Sequence, residues 1–129
     1  MRFIKYFIIL ILISIKAHAT TTITCPTVED IKNNQFNGWL PLYIDNEELA
    51  SDVDTELFRK SVARFEAARW DSYYLEAAHC FYSGDNDITH QIILAHDAWR
   101  PTLSVDWSWV TLNVSSECKS GAESCAYIL

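Results

Sequence analysis

The chain has 129 residues, half of them apolar, with 17 acidic against 10 basic side chains and a formal charge of −7. That length holds one domain with one modest core. No low-complexity linker divides it, no internal repeat is present, and the acidic balance excludes nucleic acid and anionic membrane surfaces, which require a cationic patch.

Residues 1–19 read as a signal peptide. Arg2 and Lys5 form a short basic start, Phe7 to Ile15 is almost entirely Ile, Leu and Phe, and Ala17-His18-Ala19 is a small-x-small cleavage site. The apolar run is too short to span a bilayer, which needs about 20 apolar residues. The expectation is an exported chain, periplasmic or secreted, with residues 20–129 as a single small domain and no membrane segment after cleavage. Arg2, Lys5 and Lys16 leave with the signal, so seven basic residues face 17 acidic ones and the net charge becomes −10. Such a chain steers toward cationic partners.

Thr20–Thr24 is a polar start, and Cys25-Pro26-Thr27 leads into Val28–Asn34. Thr27 suits an N-cap, with Asp30 three residues on to complete a capping box, so a short helix is predicted with Val28, Ile31 and Phe36 toward the core. Gly38–Ile44 reads as a strand, and Pro41, which cannot donate to a ladder, places it at an edge. Asp45–Asp54 is an acidic connection and, with Glu56, forms a solvated face. Thr55–Trp70 supports two readings. Leu57, Phe58, Val62 and Phe65 fit a helical stripe, while Ala63, Phe65, Ala67 and Arg69 alternate as in a strand. A helical turn over Thr55–Lys60 followed by a strand from about Ser61 to Trp70 is the first reading, and one helix through Ala68 is the competitor.

A hairpin follows, with strands Tyr74–Tyr82 and Ile88–Ala98 joined by Ser83-Gly84-Asp85-Asn86-Asp87. Apolar residues on both faces make its first strand central and covered on both sides. His90, Ile92, Leu94 and His96 share a face of the second. Arg100-Pro101 breaks the pattern, Leu103–Val114 is a further strand, and Cys125–Leu129 is the last. The fold class expected is α+β, an antiparallel sheet of about five strands with a short N-terminal helix, braced by disulfides.

Four cysteines behind a signal, Cys25, Cys80, Cys118 and Cys125, argue for two disulfides. Cys118–Cys125 is favoured because Lys119-Ser120-Gly121-Ala122 supplies a reversal, which leaves Cys25–Cys80. Cys25–Cys118 with Cys80–Cys125 is the rival. No Cys-x-x-Cys is present, so a zinc site is not expected.

The order of markers resembles one particular family. A signal, Cys25-Pro26, Phe65-x-x-Ala68, Cys80-Phe81-Tyr82, Trp109, then Cys118 and Cys125-x-Tyr127 is similar to small exported proteins of Legionella-type bacteria, a family defined as a domain of unknown function. The resemblance spans most of residues 20–129. It implies an exported, cystine-containing, β-rich domain and supplies no catalytic residue or activity.

No motif carries catalysis. Gly-x-Ser-x-Gly and a Gly-rich phosphate loop are both missing. His79 and Cys80 are neighbours on a strand and point to opposite faces. Glu47 and Glu48 lie in a charge-rich loop. His90 and His96, on a regular strand, would stand about 20 Å apart, too far to share a metal. His79 could meet one of them across the hairpin, with Asp85, Asp87 or Asp97 as further ligands. Asp85-Asn86-Asp87 lacks the glycine and glutamate of a calcium loop and suits a tight turn. Asn113-Val114-Ser115 is a glycosylation acceptor pattern, idle in a bacterium.

The five tryptophans and six tyrosines are the remaining signal. They can fill a core, or an exposed cluster of Trp99, Trp107 and Trp109 can mark a contact surface. The leading expectation is a non-enzymatic exported binding protein with an acidic, aromatic surface toward a basic host or envelope protein. It requires no cofactor and no metal. The alternatives are a small hydrolase or metal-dependent enzyme using His79, His90 or His96 with nearby carboxylates, and a structural accessory of an envelope or secretion assembly.

Overall fold

A computed structural model describes residues 21–71, 77–97, 100–101, 109–112 and 115–128. Residues 1–19, read above as a signal peptide, therefore lie outside the described residues. Elements in chain order are β1 (Thr22–Thr24), α1 (Val28–Lys32), β2 (Leu40–Tyr43), α2 (Asp52–Ser61), β3 (Val62–Asp71) and β4 (Ala77–Gly84). A 3-10 turn (Asp87–His90) follows, then β5 (Ile92–His96), β6 (Arg100–Pro101), β7 (Trp109–Leu112), β8 (Ser115–Cys118) and β9 (Ala126–Ile128). The fold is α+β, as expected, with an antiparallel main sheet and two disulfides.

Among the described residues the main sheet has six strands in the order β2-β5-β4-β3-β8-β7, and a second sheet has three in the order β1-β9-β6. The sequence pattern misses two parts of this. The polar Thr22–Thr24 is a strand, because Thr suits a pleated, half-buried surface and the backbone of β9 pairs with it. Ser115–Cys118 is also a strand, pairing β3 on one side and β7 on the other. The expected strand Leu103–Val114 is thus described only as Trp109–Leu112, folded back against β8. The last strand is the central strand of the small sheet and is not part of the large one.

Local chemistry sets the ends of the helices. Thr27 Oγ1 accepts the amide of Asp30 at 3.0 Å and Asp30 Oδ2 accepts that of Thr27 at 3.2 Å, a complete capping box. α1 ends with Asn34 at φ +59, where Asn34 N–H bonds Ile31 O at 3.0 Å and Gln35 N–H bonds Asp30 O at 2.8 Å, the paired bonds of a Schellman motif. Ser51 Oγ caps α2 through the amide of Asp54 at 3.1 Å.

The ambiguous stretch 55–70 is helix and then strand, changing over between Ser61 and Val62. α2 begins three residues before the predicted turn, and the single-helix reading is overturned. β3 pairs β4 with two register shifts, between Val62 and Arg64 and between Phe65 and Ala67. Each bulge inserts one residue, so core-facing positions fall at Val62, Phe65 and Ala68. Where β4 meets the end of α2, a Cβ on Gly84 would stand 2.0 Å from Ser61 O, so the close approach of two backbones requires glycine.

β4 is central, as expected, between β5 and β3. Its partner strand starts at Ile92, not Ile88, because Asn86 Oδ1 takes the amide of Ile88 at 3.1 Å and starts the 3-10 turn. Among the described residues the core lies on one face of the sheet. Ala78, Cys80 and Tyr82 of β4 are buried there with Ala68, Ile92, Leu94 and Cys118, and Ile31, Trp39, Phe58 and Tyr127 cover them. On the opposite face His79 and Phe81 are half-buried, and the Arg69 guanidinium lies 5.7 Å from the Phe81 ring centre.

Both disulfides have the favoured pairing. Cys25–Cys80 ties the start of the domain to the central strand, with Cα atoms 5.9 Å apart, and Cys118–Cys125 closes the reversal beside β8, with Cα atoms 5.7 Å apart. Two phenols finish the core. Tyr82 donates to Pro26 O at 2.5 Å, and Tyr127 Oη lies 3.1 Å from both Arg69 O and His79 O, which fastens the small sheet to the large one. Burial raises the pKa of both above the ordinary phenol value.

Candidate functional site

Pro41 does put β2 at the edge of the main sheet. That edge is covered by the chain that follows it. Tyr43 N–H bonds Glu48 O, Glu47 N–H bonds Tyr43 O and Ala50 N–H bonds Pro41 O, each at 2.9 Å, and Leu49 bridges Leu42. The Tyr43 hydroxyl holds the strap by a 2.5 Å bond to Asp54 Oδ2 and accepts the amide of Ser51 at 3.1 Å. This blocks addition of a further strand along residues 41–43, and it also leaves apolar side chains in water. Leu40 is 55%, Leu49 63%, Val53 70% and Leu57 41% exposed. Register explains part of this. Leu40 pairs Ala95 and Leu42 pairs Ile93, which places both leucines, with Leu49 opposite Leu42, on the face of the sheet away from the core. Val53 and Leu57 are four residues apart on α2 and share its side.

Beside the strap lies a cleft of ≈ 480 Å³ lined by Tyr43, Ile44, Asp45 and Asn46 from the end of β2 and by His90 and Gln91 from the 3-10 turn. The amide of Ile44 bonds Gln91 O at 2.9 Å and joins its walls. Asn46 Oδ1 accepts the amide of Glu48 at 2.9 Å, which fixes the acidic turn. Asp45, His90 and Gln91 are exposed, with their side chains turned to solvent rather than into the core.

Charge is partitioned around this region. No Lys or Arg lies between Lys32 and Arg59 or between Arg69 and Arg100, and those two segments supply every lining residue of the cleft and every exposed apolar residue named above. The first segment carries Asp45, Glu47, Glu48, Asp52, Asp54 and Glu56. Arg59 and Lys60, the cations that follow it, are engaged on its last acid, Glu56. Arg59 pairs Glu56 at 2.5 Å and donates to Ile31 O at 3.1 Å and Lys32 O at 3.0 Å, while Lys60 stands 3.6 Å from Glu56. Acids at the start of α2 and bases at its end also suit the helix dipole.

The residues singled out from sequence that are described do not form one cluster. Trp99 and Trp107 lie outside the described residues, and Trp109 opens β7, the outer strand of the main sheet opposite β2. Trp39 belongs to the core, its Nε1 donating to Thr24 O at 3.1 Å. The histidines do not converge. His79 pairs Ala95 while His96 pairs Ala78, so the two imidazoles leave opposite faces of the sheet. His90 stands on the 3-10 turn and not on a strand, which corrects the expectation that it shares a strand face with His96. His96 rests against Trp39, ring centres 5.3 Å apart, with Nδ1 3.1 Å from Asp97 Oδ1. Asp85 and Asp87 are exposed in the turn, and Glu47 and Glu48 in the strap. Among the described residues no group of three His, Cys, Asp or Glu could hold a metal ion, and no helix is long and apolar enough to cross a membrane.

The sequence pattern did not single out Leu40, Leu49, Val53 and Leu57. Their signal was present as apolar residues inside an otherwise charged stretch, although only the strap geometry shows them to be exposed. No family model, curated protein or solved structure matches the chain.

Proposed function

We propose that this chain is an exported, non-enzymatic binding protein that engages a cationic protein through the exposed stretch that runs from β2 through the strap into α2. The observation that carries this reading is Leu49 and Val53, both well over half exposed, in a stretch with six carboxylates and no Lys or Arg. Exposed apolar side chains rimmed by polar residues mark a contact surface, and a partner of opposite sign also suits the acidic stretch that carries them. Export, with residues 1–19 as the signal and 20–129 as the domain, is supported by two buried cystines, which persist where thiols oxidise. The resemblance to small exported Legionella-type proteins points the same way. The contact residues on this reading are aliphatic, and the tryptophan trio is not required.

The test is affinity capture on the oxidised protein, with the retained proteins identified by mass spectrometry. Wild-type protein should retain a protein of basic isoelectric point at low salt and release it at high salt, as screening weakens charge attraction. Leu49→Ser/Val53→Ser, at two exposed positions, should retain none of it. Retention of the same protein by the double variant would sink the reading, as would a wild-type protein that retains no basic protein.

A further inference from the structure

The cleft beside the strap offers a specific anchor. We infer that it receives a guanidinium group from an arginine side chain of the cationic partner, a deepening that rests on the reading above. Three observations lead there. Its lining residues carry acceptors, namely the Asp45 carboxylate and the side-chain carbonyls of Asn46 and Gln91, beside an aromatic residue, Tyr43. The side chains of Asp45 and Gln91 have no partner among the hydrogen bonds and ion pairs of the described residues, and Asn46 Oδ1, holding the Glu48 amide, keeps a second lone pair. Finally, both segments that form the cleft lack Lys and Arg, and Asp45 makes no ion pair among the described residues.

A planar five-donor cation matches this set better than an ammonium. Guanidinium binds a carboxylate in a two-pronged fork and stacks on an aromatic ring, while an ammonium acts as a compact, strongly hydrated point charge. The Tyr43 hydroxyl is already committed to Asp54 and Ser51, which fixes the side chain of this lining residue. Leu42, next to Tyr43, carries the bridge to Leu49, so an arginine seated in the cleft leaves the rest of the partner free to cover the exposed apolar strap.

The experiment follows backbone amide shifts in the oxidised protein during titration with a blocked Gly-Arg-Gly peptide. The same peptide with citrulline, a neutral isostere, and with lysine form the other two arms. Saturable shifts are expected at Ile44–Asn46 and His90–Gln91 with arginine, about tenfold weaker binding with lysine, and none with citrulline. Asp45→Asn should weaken the arginine peptide about tenfold, while Glu29→Gln, an exposed acid on α1, leaves it unchanged. Equal shifts with citrulline, or equal affinity in Asp45→Asn and the parent, would overturn the assignment. The two readings fail separately. If the captured basic protein binds Asp45→Asn as tightly as the parent, the anchor is wrong while the binding function stands. If the peptide saturates the cleft but no basic protein is captured, the anchor stands without the function.

Discussion

Gly84 shows how tightly single residues are fixed here. Alanine gains roughly 0.4–1 kcal/mol from a less flexible unfolded chain. The overlap with Ser61 O, a backbone atom that cannot swing aside, costs roughly 1–3 kcal/mol. Gly84→Ala should therefore lower the urea midpoint, and an unchanged or raised midpoint would show that the strand end can shift. Tyr82 and Tyr127 make a second prediction. Exposed phenols in the unfolded chain ionise near pH 10, about the ordinary value, while burial holds these two protonated above it. Past that pH the unfolded chain binds fewer protons than the folded one, so stability falls as pH rises. Tyr82 and Tyr127 should stay un-ionised until the domain unfolds, read from the tyrosinate absorbance against circular dichroism.

At the scale of elements, the stretch 55–70 shows what was legible and why. Phe58, Val62, Phe65 and Ala68 recur at intervals of three and four, the signature of a helix, yet only Phe58 is helical. The two bulges of β3 impose the three-residue spacing within a strand, so the period by itself could not separate the states. α1 was legible because its capping box is local in sequence, and β2 because proline restricts a strand to an edge. β1 and β8 were not, since their polar residues gain a strand conformation only from partners far away in the chain. The candidate face was half legible. Its acids are plain in the sequence, but the exposure of Leu49 depends on the strap. Tyr43→Phe tests that device. Losing the bonds to Asp54 and Ser51 should cost about 1 kcal/mol, with faster amide exchange at Glu48 and Ala50 while β4 stays protected. Uniformly faster exchange would mean that the strap is not an independent unit.

The whole molecule is held by links of very different reach. Cys25–Cys80 spans 55 residues and Cys118–Cys125 only seven. Chain-entropy estimates give about 4 kcal/mol for the first and about 2 kcal/mol for the second. Cys25→Ser/Cys80→Ser should thus lose markedly more stability to urea than Cys118→Ser/Cys125→Ser, and the reverse order would mean that strand contacts already confine the long loop in the unfolded chain. The pairing has another consequence. Each bridge joins a cysteine to the very next one along the chain. A polypeptide threading out of a membrane pore from its N-terminal side presents Cys25, then Cys80, with Cys118 and Cys125 still behind. On the proposed export, an oxidase that joins thiols in order of arrival would make these two bonds at the first attempt, with no reshuffling.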